Sequence, residues 1–502
     1  MIDSASRGVP MVSAGVDGWV PLRWPCGPLD VERGRRREGF TAGEADALRA
    51  WSEPGALEIL AGTPVNCLVV SWAEGSPGED DHQRSLAPLV AAARRRGLAV
   101  VGWVSGTADL RRAAGVARAS GLAALATESV EPVEGCDVLR FRKRGLADLS
   151  PSGFLGDADA VWPGMRQLKP GKGVDAVSGA TSRPWIDSNA WYVRLAHTVL
   201  APQTLWLAFD PPDIGQPLAA DAYLQAIADS EIAGARWMVS LDPTLRTGLA
   251  AGRPPARETW RRIARGLAFF RAHQAWKVYA PEGQIGVLSD YAGENEFMAF
   301  EVLNLLARRC GLYRVLPESR AGATSLDGLD CVLCVDSKPP GPALAKKLYA
   351  FAEAGGTLVT PPGWEARGVP DESAAVPRFR VYRSGRGRLA VAREVFGDPD
   401  LVAEDTQLLT SHRRDRVRVF NLGVGHFQYA VSSDGRAGVL HQLAFPTPYP
   451  RGPVAAWFRR AWARGRVLSV DSEAEAKRVA ADGGVEFHLP PVPAYAALEV
   501  SA

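Results

Sequence analysis

The residues from Gly121 to Glu128 read GLAALATE, an almost wholly apolar run that ends on a threonine and a carboxylate. A strand without polar alternation is buried on both faces, as strands in parallel α/β sheets are. Such sheets and barrels build their sites from polar residues at the C-terminal ends of the strands. The stretch therefore predicts a buried parallel strand and makes Glu128 the first candidate for chemistry.

Similar runs recur through the first 280 residues, most of them separated by helix-like segments. In one of these, Leu86, Leu89, Val90 and Ala93 follow the i, i+3, i+4, i+7 spacing of an amphipathic helix. Alternating strands and helices predict right-handed βαβ units, and eight such strands predict an α/β fold of the (β/α)8 TIM barrel type. The eight runs are Gly18–Trp24, Val65–Gly75, Leu98–Gly106, Gly121–Glu128, Val138–Arg142, Ala160–Met165, Thr204–Asp210 and Ala235–Asp242.

Two further units are expected after the barrel, which we assign to residues 1–280. Residues 281–376 again alternate strands and helices, beginning at Ile285, and this pattern predicts an open flavodoxin-like α/β domain. Residues 377–502 consist of short alternating runs separated by Gly and Pro, which is typical of a small β-sandwich.

Composition bounds the possible partners. The net charge of +2 provides no general electrostatic attraction for nucleic acid or an anionic membrane. No window approaches the roughly 18 uninterrupted apolar residues of a membrane span, and the first 20 residues lack a secretion signal, so a cytoplasmic location is expected. Only Cys331 and Cys334 form a CxxC pair, inside an apolar run without a nearby His cluster, so we expect buried thiols with neither a metal nor a cofactor.

This order of domains resembles the three-domain β-galactosidase-like glycoside hydrolases. The resemblance rests on the barrel, on LYAFAEAGGTLVTPPG (348–363) in the middle unit, and on LPPVPAYAALEV (489–500) near the end. It implies that the middle unit has an amidotransferase-like fold. An amidotransferase needs a cysteine at a tight strand-to-helix turn, and Asp336 follows the strand here instead, so we expect this unit to be non-catalytic.

The resemblance also implies a pair of catalytic carboxylates. In the family, a glutamate ending the fourth strand is the acid/base and a glutamate ending the seventh is the nucleophile, positions that correspond to Glu128 and Asp210. Thr127 precedes Glu128 where the family has Asn, and Asp210 is one CH2 shorter than Glu. Should the strand count shift, the assignment would move to Glu74, Asp187 or Asp242.

Each carboxylate also has a structural reading. Asp210 before two prolines, Asp242 before Pro243 and Asp187 before Ser188 are all suited to capping a helix or anchoring a loop. We nevertheless include Asp187 and Asp242 among the candidate substrate-binding residues.

The tryptophans, like the carboxylates, favour a carbohydrate ligand. Twelve of the 15 precede residue 281, and indole rings stack on the apolar faces of sugars, although core packing is the alternative for each of them. The candidate substrate-binding tryptophans are Trp72, Trp103, Trp162 and Trp185.

The sequence thus predicts a glycoside hydrolase with Glu128 and Asp210 as its carboxylate pair and a carbohydrate as its substrate. The alternative is a non-catalytic carbohydrate-binding protein that kept the scaffold. Because related enzymes assemble through the middle domain, a homo-oligomer is also expected.

Overall fold

The computed structural model of the protein describes residues 15–143, 153–165, 186–200, 204–212, 217–373, 376–410, 412–446, 452–492 and 494–502. Among these residues, no helix combines the length and apolar character needed to cross a lipid bilayer.

Eight parallel strands form a barrel in chain order, as the sequence predicts. The first and last strands are joined by a parallel bridge between Leu22 and Val239, with Arg23 N–H donating to the Val239 carbonyl at 2.7 Å. The strands are β1 (Pro21–Arg23), β2 (Cys67–Ala73), β3 (Ala99–Val104), β4 (Ala124–Thr127), β5 (Val138–Arg142), β6 (Phe154–Asp157), β7 (Thr204–Ala208) and β8 (Arg236–Met238).

The sixth strand differs from the sequence prediction. It is Phe154–Asp157, whereas Ala160–Met165 was expected; within that run, Gly164–Met165 pairs with Ile186–Asp187 in a separate two-stranded antiparallel sheet. Pro163 has no N–H to donate to a central ladder, which disfavours the predicted strand. The seventh and eighth strands keep their predicted places in the barrel.

Helices lie between the strands and bury their apolar faces against the barrel. Before β4, Gly121 ends the preceding helix in the left-handed conformation (φ 77°), a geometry that glycine adopts without strain. The helices of this domain are α1 (Gly27–Arg35), α2 (Ala42–Ala50), α3 (Glu79–Arg95), α4 (Leu110–Ser120), α5 (Ala190–Leu200), α6 (Ala220–Ala233), α7 (Pro243–Ala250) and α8 (Pro254–Ala272).

Side chains alternate between the barrel interior and the helix layer. Val69, Val101, Ala126 and Trp206 belong to an apolar cluster inside the barrel. Their neighbours Leu68, Val70, Val100, Leu125, Leu205 and Leu207 instead pack in the cluster shared with the helices. Since successive side chains of a strand point to opposite faces, the positions that face the barrel axis can be followed to the end of each strand.

The middle unit has a flavodoxin-like strand order. Its five parallel strands lie side by side in the order Tyr313–Pro317, Ile285–Ser289, Cys331–Cys334, Thr357–Thr360 and Gly387–Ala392. A hairpin extends the sheet beyond the last of these strands. The strands are β9 (Ile285–Ser289), β10 (Tyr313–Pro317), β11 (Cys331–Cys334), β12 (Thr357–Thr360), β13 (Val369–Pro370), β14 (Phe379–Ser384) and β15 (Gly387–Ala392), with helices α9 (Glu296–Arg308), α10 (Glu318–Ala321), α11 (Pro342–Glu353) and α12 (Pro399–Thr410).

This sheet continues past residue 376, the boundary that the sequence pattern predicts between the middle unit and the β domain. β14 and β15 alternate like strands of a sandwich, yet β15 pairs in parallel with β12 and β14 pairs antiparallel with β15. Their short alternating pattern resembles that of the C-terminal strands, so the sequence alone does not assign them to a sheet.

The remaining strands form two antiparallel sheets of a β-sandwich. One sheet has the order Ala280–Pro281, Gly425–Val431, Ala437–Ala444, Tyr495–Ser501, Arg464–Leu468 and Glu473–Glu475. The other has the order Val417–Phe420, Val454–Phe458, Gly484–Leu489 and Lys477–Ala481. The strands are β16 (Val417–Phe420), β17 (Gly425–Val431), β18 (Ala437–Ala444), β19 (Val454–Phe458), β20 (Arg464–Leu468), β21 (Glu473–Glu475), β22 (Lys477–Ala481), β23 (Gly484–Leu489) and β24 (Tyr495–Ser501).

The three units share buried contacts. Leu443 and Phe445 of the sandwich lie in the same apolar cluster as the barrel helices, and Gln225 donates to the Ala444 carbonyl at 2.6 Å. On the other side, Ser188 donates to Asn304 at 2.7 Å. The barrel is therefore packed against both neighbouring units.

Candidate functional site

A cavity of about 420 Å³ opens at the carboxyl ends of the barrel strands. We call it cavity A. It is lined by Arg23, Trp103, Glu128, Ala158, Ala208, Phe209, Asp210, Met238 and Ser240.

The alternation of the strands explains which residues reach cavity A. Ala126 of β4 faces the barrel interior, so Glu128, two residues later, continues the same face. Ala208 of β7 likewise precedes Asp210, and Met238 of β8 precedes Ser240. The barrel therefore brings together the two carboxylates that the sequence analysis paired, one following the fourth strand and the other the seventh.

Glu128 is exposed at the mouth of cavity A. The loop after it is held by its own polar groups, since Ser129 N–H donates to Thr127 Oγ1 at 3.1 Å and Arg140 donates to the carbonyls of Ser129 and Glu131. Within the described part of the chain, the Glu128 carboxylate has no hydrogen bond or ion pair. It is available to a ligand.

Among the described residues, one neighbouring side chain holds Asp210. Ser240 donates its hydroxyl to Asp210 Oδ1 at 2.9 Å, which links the ends of β7 and β8. The carboxylate is otherwise exposed to the cavity. One oxygen thus has a fixed partner, and the other is accessible.

Arg23 ends β1 and was not among the residues singled out from the sequence. Its guanidinium lies 5.2 Å from the centre of the Trp103 ring and donates to Ser71 Oγ at 3.2 Å, while its Nη1 is buried without a hydrogen-bond partner among the described residues. Burial lowers the pKa of Arg23, and the nearby charges of Asp30 and Asp210 oppose that shift. Its position on the inward face of β1 is the signal that could have identified it.

A second cavity, of about 710 Å³, adjoins the first and shares Arg23, Asp210 and Ser240 with it. We call it cavity B. It lies over α1, α2 and α7, and its charged lining residues are Arg23, Asp30, Arg33, Arg37, Glu38, Glu44, Asp210, Asp242, Arg246 and Arg253.

The floor between the two cavities is a buried polar network. Asp30 accepts hydrogen bonds from Arg33 and from Ser71 Oγ, both at 2.8 Å, and Arg33 also pairs with Glu74 at 2.9 Å. His82 contacts the Ser71 carbonyl at 2.8 Å, and burial lowers the pKa of this histidine. Glu74, an alternative carboxylate from the sequence, is therefore engaged in an ion pair and does not line cavity A or B.

Of the candidate tryptophans, Trp103 lines cavity A, whereas Trp72 and Trp162 line neither cavity. Trp72 is fully buried, and its indole N–H donates to the Ala113 carbonyl at 3.1 Å, because it lies on the outward face of β2. Trp162 packs edge-on against Tyr223 and Trp237, at ring distances of 5.4 and 5.5 Å. Trp185 lies outside the described residues.

The two candidate substrate-binding aspartates are separated from each other. Asp242 caps α7 by accepting from Leu245 N–H at 2.9 Å, accepts from the Tyr223 hydroxyl at 2.8 Å, and lines cavity B. Asp187 lies in the small antiparallel sheet, paired with Gly164, and lines neither cavity.

No metal site is formed by the described residues, where no group of three or more His, Cys, Asp and Glu side chains is arranged to hold an ion. Cys331 and Cys334 are buried in β11, and burial raises the pKa of both thiols. This environment suits core thiols.

Comparison with solved structures finds several similar chains. The chain is similar to alpha-L-fucosidase isoenzyme 2 from Paenibacillus thiaminolyticus, with a TM-score of 0.59 and 12% identity, over 96% of this chain and 99% of that chain. An exo-beta-1,4-mannosidase from Opitutaceae bacterium strain TAV5 gives a TM-score of 0.46 at 13% identity, covering 78% and 94% of the two chains. A GH42 beta-galactosidase from G. stearothermophilus gives 0.42 at 9% identity, covering 84% and 67%.

No protein-family model matches the sequence, and no curated protein matches it. At these identities the similarity concerns the fold alone. The fold expected from the resemblance is confirmed at that level: the chain has a parallel barrel followed by further sheets, and it shares this fold with the fucosidase structure.

Proposed function

We propose that this protein is a glycoside hydrolase in which Glu128 and Asp210 form the catalytic carboxylate pair of cavity A. The observation that carries the proposal is their placement. They follow the fourth and seventh of eight barrel strands, on the inward face, and line one cavity together. A sugar held between them would meet a carboxyl group on either side, as glycosidic bond cleavage requires.

The two carboxyl groups have different surroundings that suit different roles. Glu128, whose carboxylate has no partner among the described residues, is assigned as the general acid that protonates the departing oxygen. Asp210 is oriented by Ser240 and lies within electrostatic range of the Arg23 cation, so we assign it as the group that attacks the anomeric carbon or activates a water.

Trp103 supports a carbohydrate as the substrate. Its ring is partly exposed in cavity A, rests against Phe141 at 4.8 Å, and carries the Arg23 guanidinium nearby. An indole fixed in this way offers a flat apolar surface to the C–H face of a sugar.

Two substitutions test the proposed pair. Glu128→Gln and Asp210→Asn should each lower kcat by about 10²–10⁴-fold on a glycoside that the wild type hydrolyses, because each removes an ionisable group at the reacting centre. The matched control is Glu131→Gln, an exposed glutamate on the same loop that lines neither cavity. Near-normal turnover in both variants would exclude this pair.

A non-catalytic carbohydrate-binding protein is the second candidate. It is favoured by the Glu128 carboxylate itself, which no described residue orients, and by Thr127 standing where the family has Asn. Sugar binding without turnover, measured by calorimetry and by product analysis on a broad set of glycosides, would support this candidate and contradict the first.

A further inference from the structure

Cavity B is lined by two arginines that each have a buried N–H donor without an acceptor among the described residues. Arg246 of α7 makes no side-chain hydrogen bond or ion pair to any described residue, and its Nε is buried. Nη1 of Arg23, at the junction with cavity A, is also buried without a described partner. A buried guanidinium donor without a partner loses its hydration and gains nothing in return.

Three of the acidic residues that line cavity B are engaged by groups other than Arg23 and Arg246. Asp30 is engaged by Arg33 and Ser71, and Glu44 by Arg37 at 2.5 Å. Asp242 is used by the cap of α7 and by Tyr223. Asp210 keeps one oxygen free, and its charge acts on Arg246 together with those of Asp30 and Glu44, yet no described residue accepts a hydrogen bond from the Arg246 side chain.

Burial has an electrostatic consequence at both arginines. It lowers the pKa of Arg23 and of Arg246, and the surrounding carboxylates only partly oppose the shift. An anion placed between them would restore the stabilisation that burial removes, and the fork of the guanidinium matches the two oxygens of a carboxylate or sulfate.

We propose that cavity B binds an anionic substituent, a carboxylate or a sulfate, on the sugar unit next to the one held in cavity A, with Arg246 and Arg23 as its ligands. This deepens the glycoside hydrolase assignment and rests on it for the identity of the ligand as a glycan. Because the two cavities share Arg23, Asp210 and Ser240, one ligand can extend from the carboxylate pair into cavity B.

Binding measured without turnover separates this proposal from the hydrolase assignment. In the Glu128→Gln background, a panel of uronic acid disaccharides is titrated against the carboxyl-reduced forms of the same disaccharides, and a 6-sulfated series is run in parallel. We expect at least one anionic disaccharide to bind about 10-fold to 100-fold more tightly than its neutral counterpart. The series that shows the preference identifies the anion as carboxylate or sulfate.

Substitutions then test whether the arginines cause the preference for anionic disaccharides. Arg246→Gln should reduce it to near unity, whereas Arg246→Lys should retain part of it, because lysine keeps the charge without the fork. Arg261→Gln is the matched control, since Arg261 is exposed on α8 and paired with Glu258 at 2.7 Å. Circular dichroism and thermal melting establish that each variant is folded.

Several results would overturn the proposal. Equal affinity for the anionic and neutral series would do so, as would a preference that survives Arg246→Gln or one that is lost in Arg261→Gln. Failure of every anionic disaccharide to bind also overturns it. Turnover of neutral glycosides by the wild type alongside that failure would leave the hydrolase assignment standing, so the two outcomes are distinguishable.

Discussion

Asp242 shows how one side chain can combine a structural and a site role. It lines cavity B, yet its Oδ1 caps α7 and its Oδ2 accepts from the buried Tyr223 hydroxyl. The structural reading of Asp-Pro at a helix start is confirmed by this geometry, while its role toward a substrate stays a prediction.

Two substitutions of Asp242 measure how much the helix cap contributes to stability. Asp242→Ala should lower the free energy of unfolding by about 1–2 kcal/mol, because it removes the N-cap acceptor. Asp242→Asn keeps an acceptor for Leu245 N–H, so it should be destabilised less than Asp242→Ala. Urea unfolding of the three proteins provides the measurement; equal stability of the Ala and Asn variants would mean that the cap contributes little.

The tryptophans illustrate what residue identity alone leaves open. Trp72 and Trp103 both lie in strands near their C-terminal ends, yet one packs outward against α4 and the other faces cavity A. The difference is the parity of their positions along β2 and β3. Which of two alternating positions faces inward can be decided only when the register of the strands in the barrel is known.

At the scale of the elements, the barrel strands depend on small residues where side chains crowd the interior. Gly156 of β6 lies against Phe141 of β5, and a Cβ at this position would come within 2.5 Å of that ring. Phe141 in turn packs against Phe154 and Trp103. The ring has little room to move.

Two glycine-to-alanine substitutions should therefore have opposite effects. Gly156→Ala should destabilise the protein by about 1–3 kcal/mol through overpacking. Gly115→Ala, at an exposed position of α4 where a Cβ meets nothing within 4 Å, should stabilise it by about 0.5–1 kcal/mol through helix propensity. Chemical denaturation measures both, and a neutral or stabilising Gly156→Ala would show that the barrel interior is more adaptable than its packing indicates.

At the scale of the whole molecule, the sandwich carries two buried histidines. His426 of β17 and His441 of β18 have their pKa lowered to about 3 by burial. His441 contacts the Tyr495 hydroxyl at 2.8 Å, while neither ring nitrogen of His426 has a partner among the described residues. Both imidazoles are neutral in the folded protein.

These histidines predict a loss of stability in acid. Between about pH 6.5 and pH 3 the unfolded chain binds protons at these sites and the folded chain does not, so stability is complete above pH 6.5 and falls as the pH decreases. At pH 4, one such residue should lower the free energy of unfolding by about 3 kcal/mol relative to its value above pH 6.5.

His426→Leu should reduce that acid sensitivity and leave stability at pH 7 equal or higher, because it also removes two buried polar atoms without partners. Urea midpoints measured from pH 4 to pH 7 test this, with His488→Leu as the control, since His488 is exposed on β23. An unchanged pH dependence in His426→Leu would contradict the burial argument.

The middle unit joins the barrel and the sandwich without a catalytic group of the amidotransferase kind at its strand-to-helix turn. Asp336 lies there and accepts from Ser289 and from Asp290 N–H, and burial raises its pKa to about 6. Assembly of copies through this unit stays a prediction.

By itself, the sequence determined the elements that depend on local periodicity. GLAALATE specified a buried strand ending at Glu128 because an apolar run after a helix-ending glycine leaves few other conformations, and seven of the eight barrel strands could be recognised in the same way. Phe154–Asp157 could not, since its sequence FLGD has only two large apolar residues and lacks the longer apolar run that surrounds the other strands. The sheet to which β14 and β15 belong could not be recognised either.

Only the tertiary structure decided which side chains meet. The closure of β1 against β8 places Arg23 beside Trp103 and near Asp210, and the packing of α7 turns Arg246 toward cavity B. These contacts join residues 80 or more positions apart. Their geometry depends on barrel register and strand parity, which a pattern of neighbouring residues does not contain.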